Sequence, residues 1–446
     1  MLRARISRRS LLSKTALAST ALVAAPYVRG AHAAGSLSIG FWDHWVPGGN
    51  DASRKIVQEW GEKNKVNVSI DYITSQGQKN LLTIAAEAQA ESGHDIFAFP
   101  TWMPHEHSDQ LVPVDDVMAD LIKANGNVNP TVEYLARADG HWIAVPASVG
   151  SQMKGPCSRI DLMKQLANID VQEMYPAGSP PKADAWTLET MLKAAEACHK
   201  GGHPFGIGLG ITADNVDTAG IIFHAFGGDL VDDKGNITVK TDGVRAAMEY
   251  YRKLTQWLPP DVPAWDDSSN NKNLISGKAA LIMNPPSAWA VAKRDAPQVA
   301  EQLWTHGMPA GPKGRFGPFL PYFWGIWKFS KNVAAAKDVL RTLSQRDNVE
   351  KMVVASGGYD LPSYEKLTDF KVWAEAEPPK GTLFHYPNPY HHQIQWVSAQ
   401  PAPPKVAVQI YTQAVHTKMV VRFMKGEKLE DTLAWAEGEI EGYMRT

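Results

Sequence analysis

The first third of the chain alternates between two hydrophobic rhythms. Leu37–Phe41 is a short apolar run, which predicts a buried strand. After it come Trp42, Asp43, His44, Trp45, Pro47, Gly48 and Gly49, then Asn50 and Asp51, good helix N-cap residues. Ala52, Ile56, Val57 and Trp60 then recur at helical spacing, and Gly61 ends the run. Val66, Val68, Ile70 and Tyr72 alternate as a strand does, and Thr74 to Gln78 is a polar loop. Lys79 to Glu91 reads as a second helix and Ile96–Phe99 as a third strand, followed by Pro100-Thr101-Trp102-Met103-Pro104. Strands that alternate with helices in this way predict a parallel sheet with all three strand-end loops on one edge. That edge would carry Trp42, Asp43, His44, Trp45, Ser75, Gln76 and Trp102. Open parallel sheets bind ligands at this edge. The two tryptophans of the opening loop could equally cover the strand end as packing.

Trp142–Pro146 predicts a short strand, and Pro146 to Gly150 a passage into new structure. From Ser158 to Leu254 the pattern is mainly helical, with helices predicted from Ala185 through Cys198, over Asp217 to Ala225 and over Asp242 to Leu258, and a short strand at Phe205–Leu209. Ser276-Gly277-Lys278 turns into a strand through Met283 that stops at Asn284-Pro285-Pro286. Tyr322 to Phe329 is a further strand; Val333–Leu343, Asn348–Ala355, Lys405–Lys425 and Glu430–Tyr443 are helices. Pro378 to Pro404 has little regular pattern and many Pro, Tyr and His residues.

Residues 1–33 read differently. Arg3, Arg5, Arg8 and Arg9 precede the largely apolar Ala16–Ala25, which falls short of the ~20 residues that span a bilayer. Ala31-His32-Ala33 is a small-x-small cleavage site, so the segment is expected to be an export signal. Arg8-Arg9 within Ser7–Leu12 resembles a twin-arginine signal, with Leu11 where Phe is usual. No cysteine lies near the cleavage site to carry a lipid, and a free periplasmic protein is expected. Cleavage removes Arg3, Arg5, Arg8, Arg9, Lys14 and Arg29 and no acid, which takes the net charge from −2 to −8. An acidic chain without a basic block excludes nucleic acid and anionic membrane as natural partners. Cys157 and Cys198 could pair as a disulfide in an oxidising compartment or stay free.

Tryptophan is unusually frequent: 15, against 13 Tyr and 13 Phe. Trp60, Trp186, Trp257, Trp327 and Trp435 fit core packing, whereas Trp42, Trp45, Trp102, Trp265, Trp289 and Trp324 fall in expected loops. An indole face stacks on the C–H face of a sugar ring while Asp, Asn or Gln bond its hydroxyls. About half of the loop group is expected to touch ligand. Asp43 and Asp229 are candidate hydroxyl acceptors, or turn and cap residues. His105-Glu106-His107 and His391-His392 have no second ligand pair at zinc spacing, and no metal or other cofactor is expected. Gly206-Ile207-Gly208-Leu209-Gly210 lacks the last spaced glycine and downstream acid of a dinucleotide fingerprint.

Together these segments resemble the family 1 extracellular solute-binding proteins of ABC importers, the group that includes maltose-binding proteins. The resemblance rests on the Trp-bearing first loop, Ala85–Ala88 through His94-Asp95-Ile96, Ile143–Pro146, Trp186–Glu189, Phe226–Asp229, Ser276–Leu281, Gly357–Pro362 and the Gly426–Leu433 tail. It implies a class II-like, two-lobe α/β periplasmic-binding-protein fold with three hinge crossings, near Pro146–Gly150, Ile282–Asn284 and Gly325–Phe329. Lobe one would hold residues 35–146 and 285–325, lobe two 150–281 and 330–446. The resemblance also implies ligand roles for Asn284, at a crossing, and Tyr359, in the Gly-Gly-Tyr-Asp-Leu-Pro loop. A solute would favour lobe closure, and the membrane permease would recognise the closed form of a monomeric protein. The expected solute is a carbohydrate. A glycerol phosphodiester or a polyol in the same fold is the alternative, and an exported periplasmic enzyme the second. The phosphodiester needs Arg or Lys in the cleft, where the predicted strand-end loops offer Trp, His and Asp instead, and the enzyme needs a cofactor loop or nucleophile elbow, which the sequence lacks.

Overall fold

The computed structural model describes residues 35–176, 181–284, 287–375 and 394–445. The expected export signal and most of the Pro378–Pro404 loop lie outside them. The first strand, β1 (Ser36–Trp42), pairs in parallel along its whole length with β2 (Asn67–Ile73), and also with β3 (Ile96–Pro100). Tyr322–Ile326 runs antiparallel beside β3, and Val145–Pro146 closes the sheet on the far side of it. β3 is buried along its length and reads as unbroken apolar sequence, whereas β2 at the sheet edge is more exposed and alternates in character.

The helix after β1 begins at Pro47, ahead of the expected Asn50–Asp51 start, and runs to Asn64. Proline suits a first helical position because its missing N–H has no partner there in any case. Gly48 and Gly49 sit in this first turn because side chains would not fit. A Cβ on Gly48 would meet the Ala355 carbonyl oxygen at 2.4 Å. Ile56, Val57 and Trp60 face inward, and Lys65, at φ 56°, ends the helix in a left-handed cap.

Val333–Leu343 and Arg346–Ala355 pack on this same helix, with Trp60 Nε1 donating to Asp338 at 2.9 Å. These helices therefore belong to the first body, not to the second lobe where residues 330–446 were expected. The cause is the Tyr322–Ile326 strand, which returns the chain to the first sheet before the helices begin.

In the second body, Gly155–Arg159 lies between Leu303–Thr305 and Leu281–Asn284, all antiparallel. Around it pack the helices Leu188–Lys200, Ala213–Ala225, Asp242–Leu254 and Val415–Met424. The chain does not cross at Ile282–Asn284. The helix Ser287–Asp295 packs on the preceding Ser269–Ile275, and Leu303–Thr305 rejoins the second sheet. Residues 287–305 thus correct the expectation that 285–325 belongs to lobe one. Gly325–Phe329 is likewise no crossing, because its first residues are sheet strand paired to β3. Among the described residues the passages run from Pro146 to Gly155, which takes in the expected Pro146–Gly150, and from Phe316 to Tyr322. At the junction a small sheet joins Gln152–Met153, Phe316–Leu320 and Ile394–Trp396.

Other elements differ from expectation in detail. Phe205–Leu209 forms no strand, although Gly206 makes one bridge to Ile282. The predicted Lys405–Lys425 helix is two, Pro404–Thr412 and Val415–Met424, broken where Ala414 takes φ 52°.

Cys157 and Cys198 are free and buried, and burial pushes their thiols up to about 12 and about 11. Both are expected to resist a thiol reagent in the folded protein and both to react in denaturant without prior reduction. Detection of fewer than two thiols in the unreduced, unfolded chain would contradict this.

Candidate functional site

At the end of β1 the chain buries Trp42, whose ring stacks on Tyr322 with centroids 5.1 Å apart. Gly150, at φ 93°, allows this pairing to sit against the hinge, since a Cβ there would lie 2.9 Å from Tyr322 and 3.1 Å from Trp42. Asp43 turns outward, receives an Asn50 side-chain N–H at 2.8 Å and is exposed. His44 turns inward. Its Nδ1 accepts the Val46 N–H at 2.8 Å, so the ring proton resides on Nε2 and is donated to Asp360. Trp45 is half-buried beside them.

Trp42 and Trp45 form part of the wall of a cavity of about 370 Å³, within the ~300–1,000 Å³ usual for small-molecule sites. Other walls from the first body come from Gln78 and Leu81, from Thr101 after β3, and from Glu106 and His107. The second body contributes Thr212–Asp214, Asp267 and Tyr411–Gln413, and the junction Gln152 and Tyr322. Gln78 reaches across the opening and donates from Nε2 to the Ile211 carbonyl at 2.9 Å.

Behind the second-body wall lies a buried charged cluster. Lys154 is wholly buried, with Nζ 2.5 Å from Asp217, 3.4 Å from Asp214 and 3.2 Å from the Ala213 carbonyl. Burial alone would lower its ammonium, but Asp217 and Asp214 outweigh that and hold it above its ordinary value. One ammonium cannot satisfy every acid here. Burial, with the charge of Asp214, pushes Asp267 up to about 7. Tyr411 adds a hydroxyl donated to Asp217 at 3.3 Å.

Several buried polar atoms on the cavity wall are unpaired, among them the Trp42 indole N–H, a donor, and the acceptors Gln152 Oε1 and Asp267 Oδ1; Trp42 and Gln152 are 4% and 3% exposed. Such groups carry a desolvation cost unless something bonds them.

The other expected site residues lie elsewhere. Gln76 is exposed, and Gln78, two residues on, faces the cavity. Trp102 is fully buried and donates to the Ser398 carbonyl at 3.0 Å, tying the first body to the segment before the last helices. Asp229 accepts from His224 at 2.7 Å, and His224 stacks on Trp396, away from the cavity. Trp265 packs over Gly206 and Gly210. Asn284 is bonded by the Ser287 hydroxyl, Trp289 is buried under Lys293, and Trp324 sits in sheet against Phe41. Tyr359 packs edge-on against His44 behind the wall, their centroids 4.7 Å apart. Sequence reasoning missed Gln152, Asp214 and Lys154. Asp214 had a signal, since Thr212 caps the helix that opens with Ala213 and Asp214. Asp266 lies in a turn, bonded to Ser268 and Ser269, whereas its neighbour Asp267 lines the cavity.

Asp267 has an ordinary value of 3.8, and the folded chain holds its proton to about 7. The unfolded chain therefore ionises first, and the folded state loses stability as pH rises through this window. Asp267→Asn is expected to raise the melting temperature relative to the native chain at about pH 8 and to do so less at about pH 5. An equal effect at both would refute the assignment.

Comparison with known proteins supplies the family. Residues 55–378 match the model of the bacterial extracellular solute-binding proteins. No curated protein matches the sequence. The solved structure of maltose-bound MalE3 from T. maritima is 18% identical with a TM-score of 0.70, over 92% of this chain and 99% of that one. A solute-binding protein from Thermotoga lettingae TMO, bound to alpha-D-tagatose, is 15% identical with a TM-score of 0.72, over 92% and 99%. A sugar transporter protein from Arthrobacter chlorophenolicus A6 with laminaribiose is 15% identical with a TM-score of 0.70, over 91% and 99%. Among the described residues no helix is long and apolar enough to cross a membrane. With the family match spanning most of the chain and the two bodies arranged as in these structures, the protein belongs to the bacterial extracellular solute-binding proteins and has their two-lobe fold.

Proposed function

We propose that this protein is the carbohydrate-binding component of an ABC importer. Residues 1–33 direct its export to the periplasm, by a twin-arginine route, and it works there as a free monomer. A solute bridging the two walls of the cavity draws the lobes together, and the permease reads the closed form. No bond is made or broken. The observation that carries the reading is the wall itself: the Trp42 ring held by Tyr322 and the Trp45 face, with buried donor and acceptor atoms left unpaired, among them Trp42 Nε1 and Gln152 Oε1. A sugar hydroxyl both donates and accepts, and so answers atoms of both kinds. The sugars in the maltose, tagatose and laminaribiose complexes named above agree with this class.

An anionic solute fits worse. The described residues that line the cavity include Glu106, Asp214 and Asp267 but no Lys or Arg, which weighs against a glycerol phosphodiester. A neutral polyol shares the hydroxyl chemistry and differs by lacking a ring face for Trp45.

A thermal-shift screen of sugars, polyols and their phosphates tests the reading. A true solute is expected to add ~2.7 kcal/mol of stability at a hundredfold excess over Kd. Stabilisation by phosphorylated compounds alone would refute the carbohydrate class, and turnover of any of them would refute the non-enzymatic role. Trp42→Phe removes the indole N–H and keeps a ring, and Trp45→Ala removes the exposed face. Each is expected to weaken binding about tenfold with the fold intact by circular dichroism. Native affinity in both would show that the opening loop only covers the strand end.

A further inference from the structure

The cavity wall carries acids from both bodies. Asp214 and Asp267 face it from the second body, and Glu106 from the first. The cation behind them, Lys154, is already committed to Asp217, Asp214 and the Ala213 carbonyl. Asp267 Oδ1 is closed off from solvent and has no hydrogen-bond partner. Gln152 Oε1, on a residue 3% exposed and on the same wall, also has none. The charged and titratable groups around Asp267 are Asp214, Lys154, Asp266 and Tyr322, and acids outnumber the single cation. Asp266 is occupied in its own turn by Ser268 and Ser269.

We propose that the solute carries a protonated amine and that Asp267 and Asp214 seat it, which makes the ligand an amino sugar or an aminated polyol. The proposal rests on the carbohydrate reading and deepens it. An ammonium offers three donors and no acceptor, which suits a wall whose unpaired atoms on this side, Asp267 Oδ1 and Gln152 Oε1, are acceptors. A neutral hydroxyl could bond one of them, but it would leave the excess carboxylate charge uncompensated away from water. The Trp42 N–H remains as a donor for a hydroxyl elsewhere on the same molecule. Burial that holds Asp267 up to about 7 agrees with a carboxylate short of positive charge.

Calorimetric titration of the folded chain at neutral pH and low salt tests this. The probes are D-glucosamine, N-acetyl-D-glucosamine and D-glucose, with the galactose and mannose counterparts of each. At least one amine is expected to bind about tenfold or more tighter than both its N-acetyl and its hydroxyl partner, as one charge pair at a partly buried site can supply. That advantage is expected to shrink with added salt, to shrink as the pH falls below the Asp267 transition, and to vanish in Asp267→Asn. Neutral sugars binding as tightly as their amines would overturn the amine seat and leave the carbohydrate reading standing. Binding of no sugar of either kind would overturn both. An amine preference that survives in folded Asp267→Asn would place the seat elsewhere and refute the assignment. If that variant does not fold, an amine preference in the native chain that ignores salt and pH refutes it equally.

Discussion

The Asp360 carboxylate, wholly buried, accepts the His44 Nε2 proton and the Gly150 N–H, at 3.1 and 2.7 Å. Next to it, Leu361 N–H donates to the Ser151 carbonyl, and the Ser151 hydroxyl accepts the Tyr322 N–H at 2.9 Å. Four segments far apart in sequence therefore meet at one knot: the loop after β1, the first passage between bodies, the strand returning to the first sheet and the Gly-Gly-Tyr-Asp-Leu-Pro loop. The cavity depends on it. The knot holds Trp42 against Tyr322 and presents Gln152, one residue beyond Ser151, to the opposite side. Replacement of either partner would strand buried polar groups, so the arrangement tolerates little change.

Legibility of the fold followed the range of the interactions. β1, β2 and β3 and their helices are recorded in local periodicity, and their parallel order follows from strand–helix alternation. Lobe membership after residue 284 is not recorded locally. Leu303–Thr305 and Tyr322–Ile326 are both short buried strands, and which sheet each joins is settled by pairing with residues more than a hundred positions away. Asn284-Pro285-Pro286 has the composition of a domain boundary, yet the chain stays in the second body.

The site was legible to the same extent. The loop after β1 could be placed on the ligand edge, and Trp42 and Trp45 do reach the cavity. Asp43 and His44, between them, are bound to Asn50 and Asp360 and serve the loop's shape. A tryptophan count cannot separate an indole that caps a cavity from one that pins two segments, as Trp102 does through Ser398. The acidic wall was the least legible part. Lys154 sits in a stretch with no motif, and Asp214 and Asp267 approach it only through the fold. These acids set the sign of the cavity, and the sign separates a cationic or neutral solute from an anionic one.

The solute is expected to lie between the Trp42–Trp45 wall and the Asp214–Asp267 wall. A crystal structure of the protein with the tightest-binding sugar of the titration tests it directly. A ring is expected against Trp45, with a hydroxyl accepting the Trp42 indole N–H and a donor on Gln152 Oε1 and Asp267 Oδ1. A sugar bound outside this cavity, or inside it with those atoms still unpaired, would refute this placement.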